Sequence, residues 1–575
     1  MSDLVKAVEA TPEDCLVWNE LSCRLPRYTG RVDIGGVVYT RMDVAKRALQ
    51  AAHDSPTSDV KDRLISLMWN DVGLNIPAGE SAVVEAGGDS LGGEECFARS
   101  LELAPFAHVW MNLAQHLHAT HDIVSISYEG KQATFDAIDA AKKYLEMSCL
   151  AQGKEAYPWF LLATYLPNDA PVDVVISGEP KLYTRRELLI TSVTDVDPSY
   201  GPSWEMLGTL LGATETLHHV SANGESAVLT KLKCIESALR AGRSSLPLWH
   251  TAMISLDGFR TINLGGPSSL DQKQCCIKLI EMGTLPSSSS MMISRMHRVM
   301  VVDAIKTLAG TMSPTETIAI NDVNMNTRKL YTIALELVPT YGLAWCNLGV
   351  LLPDDDDDSN GALVNGECVG RLTCYIRAVE HWRSVAEIPP GDGLHQVWVN
   401  VSGMLRGSNK TAIINGTSYT RKGCLLEALK ENPNSPSALH ELALLAGGPD
   451  DEESNTQQSV QQREAAALNL YKRAIFANPD SVVAWHDFAY AMNSDDVVHM
   501  DLENGGGGED SSPSTTTSYT KVDCFRQALR CDPLDYRSWQ HLSNAMITME
   551  GSVEVNGKAM TYEEVAAEAS RLASN

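Results

Sequence analysis

QVWVNVSGML (396–405), TAIINGTSYT (411–420), KGCLLEALKENP (422–433) and SALHELALL (437–445) follow one another in the ninth of twelve recurrences of one pattern. The first, third and fourth segments carry apolar residues at spacings of three and four, the signature of a helix with one buried face. The second alternates apolar and polar residues around an Asn-Gly pair. Such a pair accepts positive φ at both central positions of a two-residue β-hairpin turn. The stretch therefore predicts helix, short hairpin, helix, turn, and then the next helix.

The same unit, about 47 residues long, is traced by a ladder of anchors: Trp18, Leu64, Trp110, Trp159, Trp204, Trp249, His297, Trp345, Trp398, Leu439, Trp485 and Trp539, at intervals of 41 to 54 residues. An apolar residue three positions on (Leu21, Leu113, Leu162, Leu207, Leu348, Leu542) shares the anchor's helical face. The second helix has its own spacing. Ala, Pro five residues later and the next anchor six beyond that recur at Ala7/Pro12/Trp18, Ala334/Pro339/Trp345, Ala428/Pro433/Leu439, Ala474/Pro479/Trp485 and Ala528/Pro533/Trp539. The small Ala admits a close neighbour, and the Pro stops the helix.

These residues carry a resemblance to the tetratricopeptide repeat family. Its W-x2-L-G opening is matched by Trp204-x2-Leu207-Gly208 and Trp345-x2-Leu348-Gly349, and its second half by Ala467-x3-Tyr471-x2-Ala474-x4-Pro479. Leu211 and Leu352 stand where the family has Tyr, and the unit exceeds the family's by about 13 residues. The resemblance implies a mainly α fold, a right-handed superhelical solenoid of about twelve repeats, and protein–protein binding on its concave face.

The extra residues lie between the two helices and read as hairpins set along one edge: VDIGGVVYT (32–40), VVISGEPKLYT (174–184), VSANGESAVLT (220–230), LVNGECV (363–369), IINGTSYT (413–420) and VEVNGKAMT (553–561). The closing Thr then opens the second helix. Thr184-x-x-Glu187 and Thr561-x-x-Glu564 fit a capping box, and Thr40-x-x-Asp43 and Thr520-x-x-Asp523 are acidic variants of it. Repeats six and seven are the least regular, so two halves, 1–283 and 284–575, are expected with a break near 284–290. Polar insertions occupy 447–464 and 504–518 and decorate the hairpin rim.

The chain carries 46 Lys and Arg against 73 Asp and Glu, a formal charge of −27. That charge repels phosphate, so neither nucleic acid nor an anionic membrane surface is expected as a partner. No apolar run is long enough for a membrane span, and the acidic MSDLVKAVEATPED start does not read as a signal peptide. The expected compartment is the cytoplasm, with cytoskeletal association as its narrower version. Five of the thirteen cysteines (Cys96, Cys234, Cys374, Cys424, Cys524) share one repeat position and read as small buried residues rather than zinc ligands.

Three motifs suggest chemistry. Asp356-x-Asp358-x-Asn360-Gly361-x5-Glu367 satisfies the EF-hand loop pattern, whose alternate carboxylates and twelfth-position Glu suit calcium. Against it, Val364-Asn365-Gly366 aligns with the hairpin turns of other repeats. Gly88-Asp89-Ser90-Leu91-Gly92 matches both a G-x-S-x-G elbow and the GDSL tetrapeptide of an esterase family, but the elbow needs a parallel sheet to display its serine. His116, His118, His121 and Asp122 crowd the end of a helix and could ligate a transition metal or line a solvated loop. The favoured reading is a non-catalytic scaffold without cofactor that binds a protein or peptide segment. A calcium-responsive adaptor using Asp356, Asp358, Asn360 and Glu367 and an esterase using Ser90 are its alternatives. The acidic charge also disfavours the two-carboxylate clamp of some family members, which needs clustered inward-facing Lys and Asn; Asn112 and Asn347 are only isolated candidates for it.

Overall fold

In the computed structural model, pairs of helices alternate with two-stranded antiparallel hairpins. The structure describes residues 1–573 apart from 55–60, 85–87, 89, 152–153, 169, 221–223, 225, 257–259, 265–268, 285–293, 314, 355–360, 386–392, 407–409, 448–459, 501–516 and 548–550. The architecture is a helical repeat in which a hairpin separates the two helices of most repeats. It divides into two compact units, Met1–Cys275 and Cys276–Asn575. The break expected near 284–290 lies, Thr284 apart, outside the described residues.

The ninth repeat shows the plan: helix Leu394–Met404, strands Thr411–Ile414 and Thr417–Thr420, helix Arg421–Glu431. The strands pair from Thr411↔Thr420 to Ile414↔Thr417. Asn415 and Gly416 are left as the turn, with φ of 49° and 78°. Gly35-Gly36, Ser177-Gly178, Asn365-Gly366 and Asn556-Gly557 adopt the same positive-φ turn. Glu129-Gly130 and Asn321-Asp322 do so too, without a strong turn signature. There, burial of the paired strand residues Ile126, Phe135, Ile320 and Met325 sets the register instead. Among the described residues every sheet has two strands, so the hairpins do not pair with one another.

In five repeats the anchor tryptophan holds the hairpin to its own helix. The aromatic residue just before the helix-opening cap packs on it: Trp18–Tyr39 at 5.9 Å between centroids, Trp110–Phe135 at 4.9 Å, Trp159–Tyr183 at 5.4 Å, Trp398–Tyr419 at 5.0 Å and Trp485–Tyr519 at 5.3 Å. Such pairs add about 1 kcal/mol beyond their burial. The indole N–H donates to the carbonyl of the proline six residues earlier, from Trp18 to Pro12 (2.8 Å), Trp204 to Pro198 (2.7 Å), Trp345 to Pro339 (2.8 Å), Trp485 to Pro479 (2.7 Å) and Trp539 to Pro533 (2.9 Å). This bond is the physical content of the Pro-to-Trp spacing. It ties the turn ending one repeat to the core of the next.

The second helix starts on a cap and a cation. Thr184 with Glu187 and Thr520 with Asp523 form capping boxes. Thr40 with Asp43 and Thr561 with Glu564 exchange the same bonds. The residue after the cap then reaches an orphan carbonyl at the end of the first helix: Arg41 Nη1 to Leu25 (2.8 Å), Gln272 Nε2 to Leu256 (2.8 Å), Arg371 Nε to Leu352 (2.9 Å) and Lys521 Nζ to Met492 (2.7 Å). In the three basic cases a positive charge also meets the negative end of the helix dipole.

A second set of bonds ties each hairpin to the preceding repeat. Carboxylates of Glu9, Glu102, Glu146, Glu236 and Glu380 accept from the hairpin N–H groups of Gly35, Ser127, Val175, Asn263 and Asn415, at 2.9–3.1 Å. In three other repeats the turn asparagine donates instead, Asn321 to the Glu281 carbonyl, Asn365 to that of Leu335 and Asn556 to that of Leu529.

Two anchors of the ladder are corrected. In most repeats the anchor stands twelve to fourteen residues before the first strand, and at Trp345 seventeen; Leu64 precedes Ser81 by seventeen and His297 precedes Ile318 by twenty-one. Trp69 and Ile305 are correctly spaced and buried. Trp69-x2-Val72-Gly73 repeats the family opening, and its Gly73 presses on Phe97 as Gly349 presses on Tyr375. The five repeat-locked cysteines are wholly buried. Desolvation pushes the Cys96, Cys234, Cys424 and Cys524 thiols up to about 12, far from any reactive thiolate.

A methyl group at Gly349 would lie 2.7 Å from Tyr375 Cε1, whereas one at Gly310 meets nothing within 4 Å. Gly349→Ala is therefore expected to destabilise by about 1–3 kcal/mol through overpacking. Gly310→Ala is expected to stabilise by about 0.5–1 kcal/mol through helix propensity. Thermal melts of the two variants check the opposite signs.

Candidate binding cleft

The first helices of successive repeats lie side by side and touch through polar residues next to their anchors. The residue two after one anchor meets the residue one after the preceding anchor. Asn112 Nδ2 donates to Asn70 Oδ1 at 2.9 Å, Asn400 lies 4.0 Å from Cys346 Sγ, and Asp487 Oδ2 accepts from His440 Nε2 at 2.8 Å. His541 stands 5.2 Å, centroid to centroid, from the ring of His486. In the N-terminal unit a buried ion pair, Arg41–Asp71 at 3.4 Å, adds a hydrogen bond from Ser22 to Asp71 at 2.5 Å.

Asp487 is the centre of the C-terminal cluster. Its second oxygen accepts from His486 Nδ1 at 2.8 Å. Burial by itself would raise the Asp487 carboxyl, but the two imidazole N–H groups and their charge outweigh it and hold the group well below the usual carboxylate range.

Within the same unit, a cleft of about 580 Å³ opens across three consecutive repeats. Asp354, Arg371 and Tyr375 come from the eighth repeat; Asn400, Met404, Arg406 and Lys410 from the ninth; and Glu441 from the tenth. The acidic members have internal partners. Asp354 pairs with Arg371 at 3.3 Å and Glu441 with Arg421 at 2.6 Å. Arg406 and Lys410, both exposed, stand beside these pairs in the same cleft. Burial pushes the Tyr375 hydroxyl up to about 12 despite Arg371, so it stays a neutral donor.

The residues singled out from the sequence fall elsewhere. Glu367 lies on strand Glu367–Val369, paired with Val364, and both its oxygens accept from Arg377 Nη2 at 2.7 Å. Asp356, Asp358 and Asn360 lie outside the described residues. Ser90 sits exposed on a hairpin strand paired with 81–83, and its hydroxyl donates to Ser81 Oγ at 2.8 Å. The three histidines of repeat three do not converge on one point: His118 and His121 stand edge to face at 6.2 Å between centroids, and His116 turns to another partner. His116 is buried against Glu94 at 2.8 Å, His118 stacks on Tyr165 at 4.1 Å, and His121 takes a left-handed φ of 61° to end its helix. Asn112 is spent on Asn70, and Asn347 on the Tyr331 hydroxyl at 3.0 Å. The cleft residues were missed. A signal for them exists in the polar residue two after the anchor, present at 112, 347, 400, 441, 487 and 541.

No protein-family model matches the chain, and no curated protein matches it. Solved structures do. Human IFIT1, solved as a dimer with PPP-AAAA, is 12% identical over 84% of this chain and 94% of its own, with a TM-score of 0.22. A human IFIT1 dimer with m7Gppp-AAAA covers 99% of this chain and 100% of its own at 11% identity and a TM-score of 0.20. These findings correct the expectation that nucleic acid is excluded, because the matched proteins are solved with capped and triphosphate oligonucleotides. The physical error is plain: net charge sums the whole surface, while a ligand meets one local field.

Asp487 gives a pH test. Its carboxyl titrates lower folded than unfolded, so its contribution is fully present above the unfolded value of about 4 and is lost as pH falls through the folded one. Asp487→Asn should cost about 2 kcal/mol at neutral pH. It should also shrink the acid limb of the stability curve, read by denaturant unfolding of both proteins between neutral and strongly acidic pH.

Proposed function

We propose that this chain is a non-catalytic scaffold that takes an extended segment of a partner protein in the cleft around Asn400, Arg406 and Lys410. Twelve repeats winding as a right-handed superhelix would line its concave face with first helices, and the halves 1–283 and 284–575 would offer separate docking regions. A cytoplasmic setting, including attachment to the cytoskeleton, suits such a chain. The observation that carries the reading is the cleft itself. It is open and polar, it spans three repeats, and its donors come from side chains whose neighbours are already paired. A run of residues longer than one repeat is what such a surface can engage. The buried, hydrogen-bonded or dispersed state of the candidate nucleophiles supports a binding role over a catalytic one.

The test compares the full-length chain with an Arg406→Glu/Lys410→Glu variant in affinity capture followed by cross-linking. A partner cross-linked to the eighth to tenth repeats and retained about tenfold less by the variant is expected, since two exposed ion pairs at up to about 1 kcal/mol each amount to roughly that factor. A partner unaffected by the two changes, or a nuclease-sensitive one, removes this reading.

A further inference from the structure

We infer that Asn415 is a site of spontaneous deamidation that unlatches the ninth hairpin from the repeat before it. Three described turns hold an Asn-Gly pair in one conformation: Asn365-Gly366, Asn415-Gly416 and Asn556-Gly557, with asparagine φ of 51°, 49° and 52°. In an Asn-Gly pair the glycine nitrogen can attack the asparagine side-chain carbonyl, because no Cβ on the following residue blocks it. A bond forms between that nitrogen and Cγ, the amide nitrogen leaves as ammonia, and a succinimide ring results. Water then opens the ring at either carbonyl to give aspartate or isoaspartate. No oxidant or cofactor is required.

The three turns differ in what restrains the asparagine. The Asn365 amide donates to the Leu335 carbonyl at 3.4 Å, and the Asn556 amide to the Leu529 carbonyl at 3.1 Å. Each bond holds the side chain toward the preceding helix and away from ring closure. Asn415 is attached the other way round. Its backbone N–H donates to Glu380 Oε1 at 3.1 Å, and its side-chain amide has no hydrogen-bond partner among the described residues. The leaving group of Asn415 is thus the least restrained of the three.

The product has a structural consequence at this turn. Aspartate at 415 carries a carboxylate on the very residue whose N–H holds Glu380, so like charges meet where one carboxylate was bound. Isoaspartate adds a methylene to a two-residue turn whose length sets the strand register. Either product weakens the tie between the eighth-repeat helix Arg371–His381 and the strand Thr411–Ile414, which begins directly after Lys410 of the cleft.

The experiment is peptide mapping by mass spectrometry of the full-length protein during incubation at mildly alkaline pH. Conversion at Asn415 is expected about fivefold faster than at Asn365 or Asn556, the factor one hydrogen bond is worth. Glu380→Ala, which releases the turn, should speed conversion at 415 and leave the other two sites unchanged. Hydrogen exchange supplies the structural readout. Asn415→Asp should raise exchange across 411–420, and Asn415→Gly should not. Equal or faster conversion at 365 or 556, no effect of Glu380→Ala at 415, or unchanged exchange in Asn415→Asp would each overturn the inference.

Discussion

At Trp18 and Trp485 the indole of the anchor tryptophan does two jobs. Its N–H ties back to the proline carbonyl that ends the preceding helix, and its face receives the aromatic residue that closes the hairpin. One side chain therefore joins the end of one repeat, the core of the next and the hairpin of that repeat. The exceptions bear on this role. Where Arg243 replaces the proline, Trp249 donates to Ser244 Oγ at 3.1 Å instead. Where Ala104 replaces it, the Trp110 N–H is buried without a partner among the described residues, and two rings, Tyr128 and Phe135, pack on that indole.

Helix ends are the second constraint. First helices are short, so a large share of their backbone carbonyls lies in the last turn and lacks an intrahelical partner. A solvent-exposed terminus would leave them to water. Here the hairpin folds over that end, and a residue immediately after the next cap supplies the donor. The hairpin thus does more than shield the helix end. It delivers the start of the second helix, with its cap and its cation, to the point where the first helix stops.

The repeat, the hairpin turns and the caps were legible because each depends on residues close in sequence. Asn415-Gly416 and Thr184-x-x-Glu187 announce themselves locally. Trp69 and Ile305 were misassigned for an instructive reason. Their helices, Lys61–Leu74 and Arg295–Thr311, run longer than most first helices, so an apolar or ring-bearing residue near the start imitates the anchor. In the second repeat the glycine four residues on, pressed against the second helix at Gly73 as at Gly349, identifies the true one. The glutamate latches and the cleft were illegible for a different cause. Glu380 and Asn415, or Asn400 and Cys346, are partners across a repeat boundary, and no local pattern in either segment names the other.

That distinction also explains the failure of the charge argument. A repeat protein presents its ligand with one stripe of residues, drawn from equivalent positions and separated by whole units of chain. Many acidic residues among those described are absorbed as caps, latches and ion-pair partners. Asp43, Asp523 and Glu187 hold helix starts; Glu146 and Glu380 hold hairpins; Asp354 and Glu441 balance arginines. A carboxylate so engaged still counts in the sum of −27. Its field at a neighbouring cleft is reduced by the donor it holds, while Arg406 projects from the same surface at the end of its helix. The sign of a binding surface in such a fold follows from which charges the repeat has already used.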